Sequence, residues 1–390
     1  MKTPFFRIMI IAAGLSLPVI TVSHGCKRSV TQHDTSTGQQ DFNIDIRYAS
    51  GFDIEDHLKY KIIHVYNPWQ NLKGKSISYL LYPAGSGLPE SVQYDVAIPV
   101  PAHRVICTST THIAMIGALE EKETIIGVSG KQYINDTFIR SCIEKGEIQD
   151  IGYEQSINYE MILSLKPDVI FMYGVTGDVT AIISRLSSLG IPVVLNAEYL
   201  ENNPLARTEW IKFMSCFYDN LKKGIDFFNQ QEEAYLRLKN QMANVQDKPS
   251  VLAGLPWKNT WWVPGGKSHA AILIRDAGGK YIWEDDTSKE ALPLDIEAVY
   301  NEAGQADFWI NSGSAATLAD LVNTDSRLQL FKPFGDSSIY NNNARLNPSG
   351  GNDYWESGVI FPDVILKDLI CIFHPEILPG HTLVYYQKLK

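Results

Sequence analysis

Two similar stretches decide the fold of this chain: "NYEMILSLKPDVIFMYG" at 158–174 and "DIEAVYNEAGQADFWINSG" at 295–313. Each copy starts with a residue type that caps helices, Asn158 or Asp295, and has a glutamate two positions later. An apolar helical turn, an aspartate and an apolar strand-like run follow in both copies. A unit that occurs twice predicts two similar lobes, each containing the unit once.

Alternating strands and helices surround both copies. The segments "RVICTS" (104–109), "ETIIGVSG" (123–130) and "IPVVLNA" (191–197) have the composition of buried strands, and amphipathic helical segments separate them. The alternation stops at about residue 204 and resumes after Pro249. Because strands that alternate with amphipathic helices indicate parallel βαβ units, the sequence predicts two α/β lobes.

The segment between the lobes is helical in pattern from Pro204 to about Val245, and Gly224 is a candidate break within it. About 20 residues of helix span roughly 30 Å, the width of a small domain. Residues 44–100 contain short β-rich runs, which predict a peripheral layer. We therefore expect an α/β fold with two Rossmann-like lobes joined by a long single helix, plus an extra N-terminal β-rich segment.

The length of 390 residues favours about two domains. The predicted organisation is a signal peptide at 1–25, a polar tether at 26–43, a first lobe with the β-rich segment at 44–222, a connecting helix at 223–247 and a second lobe at 248–390.

The N-terminus has the pattern of an export signal. Lys2 and Arg7 precede an apolar stretch at 8–22, and Cys26 follows it. A cysteine in this place resembles a bacterial lipobox, which predicts lipidation of Cys26 and a periplasmic chain anchored to a membrane by lipid. The alternative is ordinary signal-peptide cleavage, which would release a free soluble protein.

Composition argues against several classes of function. The net charge of −10 is not offset by any basic run, which argues against a nucleic-acid ligand. The remaining cysteines are widely and irregularly spaced, unlike a disulfide framework or a zinc site, so we interpret them as buried apolar residues. They are Cys107, Cys142, Cys216 and Cys371.

The motifs of common enzymes are missing from the sequence. It has no G-x-S-x-G, H-E-x-x-H or C-x-x-C. The run "VPGGKS" (263–268) ends like a P-loop, but Trp261 lies five residues before Gly266, where a P-loop requires glycine. We therefore predict a protein that is not an enzyme and has no cofactor or metal of its own. Two alternatives stay open: a surface-anchored hydrolase with residues from distant segments, and a structural or adhesion lipoprotein.

Together with "TSTTHIAMIGAL" (108–119) and "NPLARTEWIKF" (203–213), this organisation resembles the periplasmic substrate-binding proteins of ABC importers for iron chelates and cobalamin, the class III or rigid-helix type. The resemblance covers about 103–375. "WWVPGGKS" and "FHPEILPGH" also resemble segments of larger, Bacteroidetes-type lipoprotein members. The resemblance implies a monomer that binds a ferric siderophore or cobalamin, with haem as a further possibility, and delivers it to a permease dimer.

In that family one glutamate on each lobe docks to the permease, and the matching positions here are Glu160 and Glu297. A carboxylate in the first turn of a helix is also favoured by the helix dipole, so each residue has a purely stabilising alternative role. Two such residues in matching settings favour docking to a symmetric partner.

Ligands of open α/β sheets bind at the carboxyl ends of the strands, which here face the gap between the lobes. Aromatic residues there suit a large ligand with an apolar face, although about half of them should pack inward. Arg207 and Glu209 are instead predicted to make structural contacts. The candidate ligand-binding residues are Thr110, Thr111, His112, Lys131, Tyr133, Tyr153 and Tyr173 in the first lobe, and Trp257, Lys258, Trp261 and Trp262 in the second.

Overall fold

The computed structural model describes residues 42–70, 72–153, 156–174 and 179–390. The predicted signal peptide, Cys26 and nearly all of the tether lie outside these residues. The described chain is an α/β protein with two mostly parallel sheets, as the sequence predicted. No helix in these ranges combines the length and the apolar character needed to cross a membrane.

The N-terminal segment forms a five-stranded sheet with the order β1-β2-β3-β4-β5. Its strands are β1 (Phe42–Asn43), β2 (Phe52–His57), β3 (Tyr60–Tyr66), β4 (Ser76–Pro83) and β5 (Val96–Val100). This layer is not independent of the rest of the fold, because one of its faces packs on the main core. Alternate residues such as Phe52 and Ile54 face the main core, and the Phe52 ring lies 4.7 Å from the ring of Trp210.

The first lobe has a parallel sheet with the order β10-β9-β6-β7-β8. Its elements are β6 (Val105–Cys107), α1 (Thr110–Ala118), β7 (Ile125–Val128), α2 (Thr137–Glu144), β8 (Gln149–Asp150), α3 (Tyr159–Leu165), β9 (Val169–Met172), α4 (Val179–Ser188) and β10 (Val193–Leu195). After β8 the chain crosses to the other side of β6. The strand order therefore reverses between β6 and β9, and their carboxyl ends form a crevice.

Two helices follow, α5 (Pro204–Cys216) and α6 (Leu221–Met242). Helix α6 has 22 residues and is therefore about 33 Å long, which matches the predicted long helix. The predicted break at Gly224 is wrong, because the chain breaks at 217–220 and Gly224 lies inside α6. A Cβ at Gly224 would come within 2.3 Å of Ser215 Oγ, so glycine allows α6 to pack closely on α5.

The second lobe has a sheet with the order β14-β11-β16-β17-β18, parallel except for the last pair. A small antiparallel sheet, β12-β13-β15, lies beside it. The elements are β11 (Ser250–Ala253), β12 (Pro256–Trp257), β13 (Thr260–Val263), α7 (His269–Asp276), β14 (Lys280–Tyr281), β15 (Leu292–Asp295), α8 (Ile296–Ala303), β16 (Phe308–Ile310), α9 (Leu318–Thr324), α10 (Lys332–Gly335), β17 (Ile339–Asn341), α11 (Pro362–Phe373) and β18 (Gln387–Lys388).

The repeated unit begins with a helix cap in both lobes. The Asn158 side chain accepts a hydrogen bond from the backbone N–H of Met161 at the start of α3. Asp295 accepts one from the backbone N–H of Ala298 at the start of α8. Each cap satisfies one of the free N–H groups of the first helical turn, which accounts for this part of the repeat.

The aspartate of the unit joins two neighbouring strands. Asp168, just before β9, accepts hydrogen bonds from the backbone N–H groups of His103 and Arg104, just before β6. Asp307, just before β16, accepts hydrogen bonds from the backbone N–H and the hydroxyl of Ser250 at the start of β11. The repeated unit thus fixes equivalent strand pairs in the two lobes.

One continuous core connects the N-terminal sheet, both lobes and the helices between them. It includes Phe213 of α5, Phe228 of α6 and Leu369 of α11. The outward faces of the two parallel sheets have smaller cores of their own. The four cysteines within the described ranges are unpaired, and all but Cys371 are buried, which agrees with their interpretation as mainly buried apolar residues.

Candidate ligand-binding site

A cavity of about 270 Å³ lies between the two lobes, at the crevice where the first sheet reverses its strand order. We call it the cleft cavity. It takes residues from the carboxyl ends of β6, β9 and β10, from the start of α5 and from the segment before α11 of the second lobe. The described residues that line it are Ser109, Thr110, Thr111, Tyr173, Glu198, Tyr199, Arg207, Trp355 and Val359.

Hydroxyl groups at the start of α1 form one wall. Ser109 is the N-cap of α1, and its side chain accepts a hydrogen bond from the backbone N–H of Thr111. The hydroxyl of Thr110 lies 3.5 Å from the backbone oxygen of Trp355 in the other lobe. The structure thus places the predicted residues Thr110, Thr111 and Tyr173 together at the cavity, and their contact with a ligand stays a prediction.

Glu198 forms the floor and is only 2% exposed. Its Oε1 accepts a hydrogen bond of 2.5 Å from the Thr111 hydroxyl, whereas Oε2 has no hydrogen-bond partner among the described residues. Burial raises the pKa of this carboxyl, and the Thr111 hydrogen bond and the charge of Arg207 oppose that shift. Glu198 was not among the residues predicted from the sequence. The signal that could have found it was its position shortly after β10, at the carboxyl end of a strand.

Arg207 lies beside Glu198 and is held by the backbone. Its Nε donates to the carbonyl oxygen of Glu201 at 2.7 Å, and its Nη2 donates to that of Tyr199 at 3.2 Å. Burial lowers the pKa of the guanidinium, and the Glu198 carboxylate raises it. Arg207 makes these structural contacts, as predicted, and it also lines the cleft cavity.

Aromatic rings complete the cavity. Tyr173 and Tyr199 pack edge to face with ring centroids 6.3 Å apart, and the Tyr199 hydroxyl donates to the backbone oxygen of Gly174. Trp355 faces them from the second lobe and is 51% exposed. A half-exposed indole beside fixed tyrosines offers an apolar surface for a flat ligand.

Two predicted ligand residues are in the core instead. His112, in the first turn of α1, is fully buried and packs edge to face on Phe171. Burial lowers its pKa to about 3, so the ring is neutral. Trp261 is also fully buried, packs on Trp309 and Phe331, and donates its indole N–H to the backbone. Neither side chain has surface available for a ligand in the cleft, so both predictions are corrected.

The other predicted residues are exposed, or partly exposed in the case of Tyr153, and do not line the cleft cavity. Trp257 and Trp262 lie on the small sheet of the second lobe, with the Lys258 ammonium 4.3 Å from the Trp257 ring. Alternate burial of Trp261 and Trp262 follows from their adjacent positions on β13.

Three more of the predicted residues, Lys131, Tyr133 and Tyr153, follow the carboxyl ends of β7 and β8. These strands lie on the side of β6 away from β9. The rings of Tyr133 and Tyr153 are 5.5 Å apart, and Lys131 is 4.0 Å from the carboxylate of Asp150. A role for any of these residues in ligand binding stays a prediction.

A direct bridge between the lobes was not predicted. We call residues 345–361 the bridging segment. The Asn347 side chain donates to the carbonyl oxygens of Gln132 and Ile134 at 2.9 and 2.8 Å. The Glu356 carboxylate accepts hydrogen bonds from the backbone N–H groups of residues 135 and 136. These contacts hold the second lobe against the first beside the cleft cavity.

The bridge should make stability depend on pH through Glu356. Burial raises its pKa from 4.5 to about 7, so the folded state binds this proton more tightly than the unfolded state. The stabilisation is complete below about pH 4.5 and is lost as the pH rises through about 7. In the wild type, this loss should lower the free energy of unfolding by on the order of 3 kcal/mol over this window. We expect the Glu356→Gln protein not to show this decrease, because its side chain has no proton to release.

Urea unfolding at several pH values from 4 to 8.5 measures this effect. The titration of all other groups is common to both proteins and cancels in the comparison. Glu144→Gln, which changes an exposed glutamate of α2, should keep the wild-type profile. Parallel pH profiles for the wild type and Glu356→Gln would contradict the prediction.

The two predicted docking glutamates are both exposed, in the first turns of α3 and α8. They differ in their surroundings. Glu297 forms an ion pair with Arg327, which also pairs with Asp325 at 2.6 Å. A basic partner at Glu297 would therefore have to compete with Arg327.

No group of three or more His, Cys, Asp or Glu side chains in the described ranges is arranged to hold a metal ion. The lining of the cleft cavity combines hydroxyls, one buried carboxylate, one partly buried guanidinium and aromatic rings. Such a mixture of apolar walls with a few placed polar groups is typical of a binding site for a small molecule.

Comparisons with known proteins agree with this architecture. The profile of the periplasmic binding protein family matches residues 105–332. An uncharacterized lipoprotein of Methanocaldococcus jannaschii is 31% identical over 303 residues, which cover 75% of this chain and 70% of that protein.

Two solved structures share the fold. A periplasmic haem-binding protein from Pseudomonas aeruginosa has a TM-score of 0.55 at 14% identity and covers 74% of this chain and 98% of its own. The periplasmic vitamin B12 binding protein of Vibrio cholerae has a TM-score of 0.50 at 16% identity, with coverages of 72% and 99%. The chain therefore belongs to the periplasmic binding protein family, whose members are substrate-binding proteins of ABC transporters and not enzymes.

Proposed function

We propose that this protein is the lipid-anchored receptor of an ABC importer, which captures a ferric siderophore or a cobalamin-like chelate in the cleft between the lobes, with part of the chelate in the cleft cavity, and delivers it to the permease. Haem is the third candidate ligand. The observation that carries the proposal is the cavity itself, which lies between the lobes at the strand-order reversal and combines aromatic and polar groups. Proteins of the same fold are described as binding haem and vitamin B12.

The membrane anchor is part of this proposal. It is supported by the lipobox-like cysteine at position 26 and by the relative named as a lipoprotein. Helix α6, which packs on both α5 and α11, would limit relative movement of the lobes because bending it requires breaking helical hydrogen bonds. The bridging segment should limit that movement further.

Titration of the mature protein with cyanocobalamin, haem and ferric siderophores, followed by tryptophan fluorescence, tests the ligand. At least one of these should quench fluorescence saturably with a dissociation constant below micromolar. Trp355→Ala should weaken that binding about tenfold, because an aromatic anchor in the cavity is lost.

Trp257→Ala is the matched comparison, since Trp257 is also exposed but lies on the small sheet outside the cavity. If the cleft cavity alone forms the site, this variant keeps the wild-type affinity, and the predicted contact of Trp257 with the ligand is then wrong. If Trp257→Ala weakens binding and Trp355→Ala does not, the ligand binds at the small sheet and the cavity is not the site.

We also propose that Glu160 and Glu297 dock the two lobes onto the two permease subunits. Glu297 would exchange its partner Arg327 for a basic residue of the permease. The double change Glu160→Lys and Glu297→Lys should abolish import of the ligand and leave its binding intact, because charge reversal repels a basic docking surface. Uptake of labelled ligand by cells measures this effect, and unchanged uptake would refute the docking role.

A further inference from the structure

We infer that the cleft cavity selects neutral or cationic chelates that present N–H donors, amide or ammonium, to Glu198, and that it discriminates against polyanionic chelates. This inference rests on the proposed function, because it concerns the ligand of the same cavity. It would make Glu198 the residue that determines specificity.

Among the described residues, the carboxylate of Glu198 is hydrogen-bonded at only one of its two oxygens. Thr111 occupies Oε1, and within the described residues nothing donates to Oε2, although the side chain is almost completely buried. A buried acceptor without a partner is unfavourable, and a ligand N–H that reaches it restores the missing hydrogen bond. A ligand carboxylate or phenolate oxygen in the same place would instead bring two acceptors together.

The charges of the residues that line the cleft cavity also favour neutral or cationic chelates. Among the described residues that line the cavity, Arg207 is the single cation and Glu198 the single anion, so their charges cancel. His269, next to Arg207, adds no charge, because burial and then the charge of Arg207 lower its pKa well below the usual value. Lys131 and Lys258 are outside the cavity lining. A trianionic catecholate complex needs several cationic donors to replace its hydration, and the lining does not supply them.

The uncharged part of the cavity lining fits the same kind of ligand. Trp355 and Tyr173 offer apolar faces, while Ser109 and Thr110 offer hydroxyls that can both donate and accept. A chelate with an apolar face and a fringe of neutral amides matches this combination. Corrinoids present such amides on their side chains, and trihydroxamate siderophores present amide or ammonium N–H groups, so the experiment must separate these two sources.

The test compares four probes by isothermal titration at pH 7.5: cyanocobalamin with its neutral amides, the cationic trihydroxamate ferrioxamine B, trianionic ferric enterobactin, and haem with its two carboxylates. The wild type should bind cyanocobalamin or ferrioxamine B most tightly, and which of the two binds identifies the source of the N–H groups. Glu198→Gln should weaken that binding by about 10- to 100-fold and should strengthen binding of the polyanions. Glu144→Gln, an exposed change of the same chemistry, should leave all affinities unchanged.

A second measurement does not depend on the folding of the Glu198 variant. Cobalamin or hydroxamate analogues in which a single amide or ammonium is replaced by a carboxylate have nearly the same size as the parent. The analogues are those of whichever chelate binds the wild type. One or more of them should bind the wild type at least about tenfold more weakly than the parent chelate does.

Tighter binding of ferric enterobactin or haem than of both other probes would overturn this inference and leave the proposed function standing. Unchanged affinities for all four probes in a folded Glu198→Gln protein would do the same. If none of the four probes binds, the proposed function fails and this inference fails with it.

Discussion

Replacing Glu209 by alanine is expected to lower the free energy of unfolding by about 3–5 kcal/mol, the effect of breaking a buried ion pair from one side. Glu209 is fully buried on α5, and its carboxylate lies 2.7 Å from the ammonium of Lys212, which is also buried. The same carboxylate accepts hydrogen bonds from the backbone N–H groups of residues 47–49. The alanine variant would leave a buried charge and three N–H groups without this partner.

Urea unfolding followed by circular dichroism measures the change. Asp226→Ala provides the control, because Asp226 pairs with Lys222 on the exposed side of α6 and should contribute less than about 1 kcal/mol. The Glu209 variant should also expose the start of the N-terminal sheet to proteolysis. Similar stabilities for the two variants would show that Glu209 does not anchor the N-terminal segment to α5.

Replacing Trp261 by alanine is expected to lower the free energy of unfolding by about 3–5 kcal/mol, as for other large aromatic residues in a packed core. The neighbouring change Trp262→Ala should stay within about 0.5 kcal/mol, because Trp262 is 51% exposed. The contrast arises because Trp261 packs on Trp309 and Phe331, with ring centroids 5.3 and 5.6 Å away.

Parallel chemical unfolding of the two variants tests this contrast between adjacent residues. Ligand affinity gives a second readout, since a folded Trp261→Phe protein should bind with wild-type affinity if Trp261 is only structural. A Trp261→Phe protein of wild-type stability that has lost ligand binding would restore Trp261 as a ligand-binding residue.

The fold was predictable because its signals are local and repeated. A cap, a helical turn and an apolar strand occur within 20 residues at 158–174 and again at 295–313, and the structure has the predicted helix and strand in both places. Local signals were less reliable where they have two meanings. Gly224 resembled a helix break, but it is the site of close packing between α5 and α6.

The lining of the cleft cavity was only partly predictable. Strand ends identified Thr110, Thr111 and Tyr173, because the carboxyl ends of parallel strands must share one edge of the sheet. The same argument included Trp261 and His112, since it locates a residue along the chain but does not decide whether its side chain faces the core. The structure puts both of these side chains in the core.

The sequence by itself determined the α/β class, the two lobes and the long helix between them, because capping and hydrophobic periodicity act between residues close in the chain. Only the tertiary structure decided the composition of the cleft cavity and the bridge between the lobes. The Thr111–Glu198 hydrogen bond joins residues 87 positions apart, and Asn347 reaches Gln132 across 215 positions. Such contacts depend on how the lobes pack in space, and local periodicity carries no information about that packing.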